Sequence, residues 1–265
     1  MHVNTIQSIE LPGCSLPAPA LIALVGAGGK TSTAFWLAKL LKNQGCRVLV
    51  TTTTQMFHPQ RDQYNHLYLN VSEQHLPDAT SVPTIHYYAA SYDPVSDKVS
   101  GLPPALVDQL KHSGRFDALI VEADGSQRLP LKAPAEHEPN LPNECDLVIG
   151  VCGAEALLLP ADPDKIHRWP LFSALTGCCT GDLIDAPILY KWLSDPHGLF
   201  KSTPPAAKRI WQINKFDLSP SPAALCALSQ QLLAQHTELQ AVWLTDMQNA
   251  QPLRHNFQKP TEIQY

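Results

Sequence analysis

The sequence predicts an α/β protein with a mostly parallel sheet flanked by helices. Three observations predict it. Short apolar runs rich in β-branched residues recur along the chain, and helical patterns lie between several of them. The first run also leads through a glycine-rich turn directly into a helix.

The elements follow in order. LIALV (21–25) is short and wholly apolar, as a buried parallel strand requires. GKTSTAFWLAKLLKNQG then reads as a helix ending at Gly45, and CRVLVTTT (46–53) and HLYLNV (66–71) read as further strands. PPALVDQLKHSG is a helix closed by Gly114, a residue type that readily takes the left-handed stop. DALIVEA (117–123), DLVIGVC (146–152), RIWQIN (209–214) and AVWLT (241–245) complete the strands, with the helix SPAALCALSQQLLAQH before the last. Two segments break the alternation. Residues 125–145 form a proline-rich polar loop longer than a plain connection needs. Residues 153–208 read as an insertion of short helical pieces covering the sheet edge. A single domain over 1–265, with that insertion at about 153–208, is expected.

Composition narrows the classes. A net charge of −5 argues against a nucleic-acid binder, and seven scattered cysteines form no disulfide framework. The N-terminus lacks a signal-peptide pattern and no apolar run reaches the length of a membrane span. A cytoplasmic protein without a membrane partner is expected.

The glycine turn carries the chemistry. In Gly26-Ala27-Gly28-Gly29-Lys30-Thr31-Ser32, bare backbone lets N–H groups face an anion, and the following helix adds its positive end. Lys30 would reach terminal phosphates and the Thr31 hydroxyl would hold Mg2+. The full phosphate-loop pattern is not met, because Leu24 stands where its first glycine belongs. The remaining G-x-x-G-K-T core resembles the shorter loop of Mur-type ligases. Lys30 has no apolar packing role, so its removal is expected to leave the fold intact. The plainer alternative is a strand–helix turn that happens to hold a lysine.

LIVEADGS (119–126) ends an apolar strand in Glu122 and Asp124, where a nucleotide site needs carboxylates for the magnesium shell. Lys30, Glu122 and Asp124 are the candidate catalytic residues, and Thr31, Glu122 and Asp124 the candidate metal ligands. After the strand 209–214, Asn214-Lys215-Phe216-Asp217 resembles the N-K-x-D guanine-recognition motif of GTPases. There the Asp accepts from the guanine ring, the Asn supports the loop and the Lys stem lies over the base. The order of the three motifs is the GTPase order, so the layout is expected to be P-loop NTPase-like, with GTP or ATP and Mg2+ as cofactors.

VGAGGKTS (25–32), LVTTTTQMFHP (49–59), VEADGSQRLPLKAPAEHEPNLP (121–142), IHRWP (166–170) and INKFD (213–217) together resemble the YqeC family. The first 20 residues and the tail after 245 add nothing to that resemblance. It implies a P-loop-like accessory protein in the maturation of selenium-dependent molybdenum hydroxylases. The partners it implies are such a hydroxylase or its cofactor-maturation proteins.

Other candidates stay open at this level. The threonines of TTTTQMFHP either approach a ligand or simply end a strand. Lys132, His137 and Glu138 either close as a lid or sit in a solvated loop. Arg128 and Arg168 are both candidates for a transition-state arginine, and a partner supplying one in trans is the alternative. Adjacent Cys178 and Cys179 make a poor chelate and read as small hydrophobes. Three functions compete: a slow NTPase in maturation, a Mur-like ligase or kinase-like transferase, and a nucleotide-sensing module.

Overall fold

Nine strands form the central sheet of the computed structural model, which describes residues 6–78 and 80–259. In chain order they are β1 (Ala20–Gly26), β2 (Val48–Thr52), β3 (His66–Tyr68), β4 (Ile85–Tyr88) and β5 (Ala118–Glu122). They continue with β6 (Leu147–Gly153), β7 (Lys208–Asn214), β8 (Leu239–Thr245) and β9 (Leu253–Gln258). Their spatial order is β9-β8-β7-β6-β1-β5-β2-β4-β3. Every pairing is parallel except that of β9 with β8. Five helices accompany them: α1 (Lys30–Asn43), α2 (Pro104–His112), α3 (Trp169–Thr176), α4 (Ala186–Ser194) and α5 (Pro222–Gln235). The predicted α/β architecture is present.

Both faces of the sheet are covered, which is why its strands read as continuous apolar runs rather than alternating ones. Ala20, Ile22 and Leu24 of β1 join one core with Phe35, Leu37, Ala38 and Leu41 of α1. Leu21, Ala23 and Val25 join the other, with side chains from α2, α3, α4 and α5. Leu24, the residue in place of the first loop glycine, is fully buried core.

Three features depart from the sequence reading. A hairpin of Ser8–Leu11 and Cys14–Pro17 buries Ile9, Leu11, Cys14 and Leu16 in the α1-side core. Trp243 donates its indole N–H to Pro12 O at 3.0 Å, so residues 8–17 are part of the fold. The antiparallel strand β9 lies in the tail. The segment 153–208 does not cover an edge. It crosses from β6 to its neighbour β7 and lays Leu199 and Phe200 on the sheet face, where a Cβ on Gly150 would stand 2.5 Å from Leu199.

The topology sets the crevice. From central β1 the chain steps over one place to β2, returns to fill the gap with β5, then passes β1 to reach β6. Ligands of open α/β sheets bind at the carboxyl ends of strands beside such a reversal.

Candidate functional site

A cavity of about 730 Å3 lies at those carboxyl ends. It is lined after β1 by Gly28 to Ser32, at and after β5 by Glu122, Ser126 and Arg128, and at and after β7 by Asn214, Lys215, Asp217 and Leu218. Asp246, Met247 and Gln248, after β8, close the last side. The glycine turn, one carboxylate of the acidic strand end and the Asn-Lys-Phe-Asp turn thus share one space.

The turn is held too tightly for side chains. The Ala27 N–H donates to Val151 O at 2.8 Å and the Gly28 N–H to Leu129 O at 3.1 Å. A Cβ on Gly28 would stand 2.4 Å from the Gly153 nitrogen, and one on Gly29 would stand 2.2 Å from Asn214 Nδ2. Gly29 caps α1 with φ 138° and no side-chain cap. The leading N–H groups of α1 have no intrahelical acceptor, so they and the helix's positive end face the cavity ready for an anion. Gly26 and Ala27 lie behind this wall and are buried.

Lys30 is 3% exposed, its ammonium 2.7 Å from Gly26 O, 3.2 Å from Asp124 Oδ1 and 3.8 Å from Glu122 Oε1. Burial by itself would lower its pKa; Asp124 and Glu122 outweigh that and hold the ammonium above its usual range. The expectation that Lys30 is structurally dispensable is therefore corrected: removing it takes the ion pair from buried Glu122 and leaves Asp124 with Lys132 alone.

The acidic pair divides. Glu122 lines the cavity and accepts from Thr31 Oγ1 at 2.8 Å. Burial pushes its carboxyl up, against the pull of Lys30 and the Thr31 hydroxyl. Hard oxygen donors this close suit a magnesium ion, which takes few protein ligands and keeps water. Asp124 instead turns inward, 2% exposed, accepting from Gly26 N at 3.0 Å and pairing Lys132 at 2.9 Å. Its place as a metal or catalytic ligand at the cavity is not supported by this position; it anchors the turn. Among the described residues, no group of three or more His, Cys, Asp or Glu side chains is placed to hold a metal.

Asn214 ties the two ends together. Its Nδ2 donates to Gly28 O at 2.8 Å, and its Oδ1 accepts from Thr245 Oγ1 at 3.2 Å and Met247 N at 3.1 Å. Gln212 extends the chain inward, donating to Thr33 Oγ1 and Thr245 Oγ1, both at 2.9 Å. Lys215, at φ 58°, pairs with Glu155, while Asp217 stands exposed at the cavity wall.

The remaining candidates resolve by position. Lys132 and Glu138 are not a lid: Lys132 is 1% exposed and bridges Asp124 to Glu138, which Arg168 clasps at 2.6 and 3.0 Å. Although burial opposes it, bonding to Arg168 and Lys132 brings the Glu138 carboxyl down to about 2. His137 is exposed. Thr51, Thr52 and Thr53 spend their hydroxyls on Tyr88 O, Glu122 O and Asn140 O, so they brace strands. Cys178 is buried and Cys179 exposed.

Sequence reasoning missed Asp246, Met247 and Gln248. Their signal was position alone, directly after a parallel strand at the same end of the sheet. It also missed Lys132 as a buried ion, because a lysine in a proline-rich loop reads as solvated.

A family model described as YqeC protein matches residues 22–170, a span holding the glycine turn, the acidic strand end and Lys132 to Arg168. A protein of Escherichia coli (strain K12) named "Uncharacterized protein YqeC" is 36% identical over 239 residues, covering 90% of this chain and 92% of its own. No solved structure gives a significant match.

Proposed function

This chain belongs to the YqeC family, and from that footing we propose that it is a nucleotide-binding accessory protein, a slow NTPase using GTP or ATP with Mg2+. Its place in the maturation of selenium-dependent molybdenum hydroxylases is the part of the proposal that rests on the resemblance. One observation carries the rest: four strand ends converge on a single cavity with helix-dipole donors at one end and an exposed carboxylate, Asp217, at the other.

The roles follow from chemistry. The N–H groups opening α1 take phosphate oxygens. Thr31 and Glu122 hold magnesium, whose charge offsets that of the phosphates. Lys30, paired with Asp124 and Glu122, keeps their charge from repelling the phosphates. Asp217 would accept from the ring N–H and exocyclic amine of guanine and repel the acceptor nitrogen of adenine. Asn214 positions both ends without reading either.

Calorimetric titration with GTP, ATP and their diphosphates in magnesium tests the reading. Saturable, magnesium-dependent binding is expected, and no binding of any of the four sinks it. A second reading is a Mur-like or kinase-like enzyme acting on a small substrate. What favours it is Leu24, buried in β1 where the longer phosphate loop starts with glycine. Equal affinity for ATP and GTP would move the balance to it.

A further inference from the structure

Three cations line the cavity, and two are already neutralised from within the protein. Lys30 faces Asp124 and Glu122, and Lys215 faces Glu155. Arg128 is the third, and among the described residues no carboxylate pairs with it. Its guanidinium rests 4.3 Å from the centroid of the Phe57 ring, which is 46% exposed and also faces Lys98 at 5.5 Å. An exposed stacking of this kind favours the parked position only roughly two- to fivefold.

The backbone beneath is unusual. Gln127 and Arg128 both have left-handed φ, 50° and 62°, a region that residues with a Cβ enter at a cost. The turn cannot drift away from the phosphate loop: the Leu129 carbonyl accepts from Gly28 N, and the Pro130 carbonyl accepts from Gly153 N at 2.8 Å. A strained, anchored turn therefore holds an unpaired guanidinium at the mouth of a site short of free positive charge. Arg168, the other candidate, is committed to Glu138.

Resting on the nucleotide reading, we propose that Arg128 is the residue that leaves Phe57 to engage the terminal phosphate, so that it distinguishes triphosphate from diphosphate. A guanidinium meets phosphate oxygens with two parallel charge-assisted bonds, which a lone ammonium cannot form.

The test is the ratio of triphosphate to diphosphate affinity, measured by titration in magnesium for wild type, Arg128→Ala and Phe57→Leu. In Arg128→Ala the ratio should fall tenfold or more, while diphosphate affinity stays within about twofold. Phe57→Leu should move the other way, raising triphosphate affinity up to about fivefold as the parked state is lost. Far-UV circular dichroism checks the fold, which an exposed, unpaired arginine should not disturb. An unchanged ratio in Arg128→Ala, with saturable magnesium-dependent binding of both nucleotides by the wild type, overturns this role and leaves the nucleotide reading standing. Equal losses of diphosphate and triphosphate affinity in Arg128→Ala also overturn it, since the contact would then lie elsewhere. No nucleotide binding by the wild type overturns both.

Discussion

The two ends of the cavity are built on opposite principles. At the α1 end the charged groups are buried or half-buried and compensated: Lys30 between Asp124 and Glu122, Asp124 against Lys132, Lys132 against Glu138, Glu138 against Arg168. At the other end Asp217 is exposed, and Asp246 is half-buried, its carboxylate accepting from Gln248 N in its own loop. The first end is preorganised, so a substitution there perturbs the fold together with the cavity wall. The second end can be altered with little effect on the fold.

Lys30→Ala should show the largest effect. Buried Glu122 loses its ion pair and Asp124 keeps Lys132 alone, so a loss of about 3–5 kcal/mol in chemical denaturation is expected. Adding Glu122→Gln should recover part of it by removing one uncompensated charge. A Lys30→Ala protein as stable as wild type would break the contrast between the ends.

Acid should attack the same region. The Glu138 carboxyl sits at about 2 in the fold against 4.5 ordinarily. A lowered folded-state pKa gives stability that is complete above about 4.5 and lost as pH falls towards 2, on the order of 3 kcal/mol in all. His86 acts in the same direction from a higher pH, because burial, aided by His66, lowers it from 6.5 to about 4. Stability curves in Glu138→Gln should lose the lower part of this dependence and keep the upper. An unaltered lower limb would remove Glu138 from the account.

Asn214→Ala should cost about 1–3 kcal/mol by leaving buried partners unmatched. It should also loosen the register between the glycine turn and residues 246–248, read as weaker binding of every nucleotide alike. Loss for one base only would mean that Asn214 reads the base rather than supporting the wall.

Asp217→Asn should be the mildest for stability, within about 0.5 kcal/mol, and the sharpest for specificity. GTP affinity should fall and xanthosine triphosphate affinity should rise, because the new amide donates where the carboxylate accepted. Unmoved preference between these two nucleotides in a folded variant would take base reading away from this residue.

Local pattern made much of this legible. Seven of the apolar runs lie on strands of the sheet, since parallel strands covered on both faces must be apolar throughout. Gly45 and Gly114 have positive φ just past their helices, where only the local turn decides. The G-x-x-G-K-T turn and the Asn-Lys-Phe-Asp turn were readable as candidates because each is a short contiguous string with its own geometry. Short or unusual strands escaped: Ile85–Tyr88 carries a histidine inside the sheet, and Leu253–Gln258 is polar because it forms an edge.

What contiguity cannot carry, tertiary structure decided. Glu122 and Asp124 are two residues apart and chemically alike, yet one faces the cavity and the other anchors the turn from beneath. Lys132 and Arg128 sit four residues apart in one polar loop, and the buried one became a core ion while the exposed one stayed unpaired. A charge tolerates burial only if an opposite charge arrives from elsewhere in the chain, and which ones arrive depends on how distant strands are ordered. The sequence by itself determined the elements and the residue types at the site; the order of the sheet determined which of those charges remain available to a ligand.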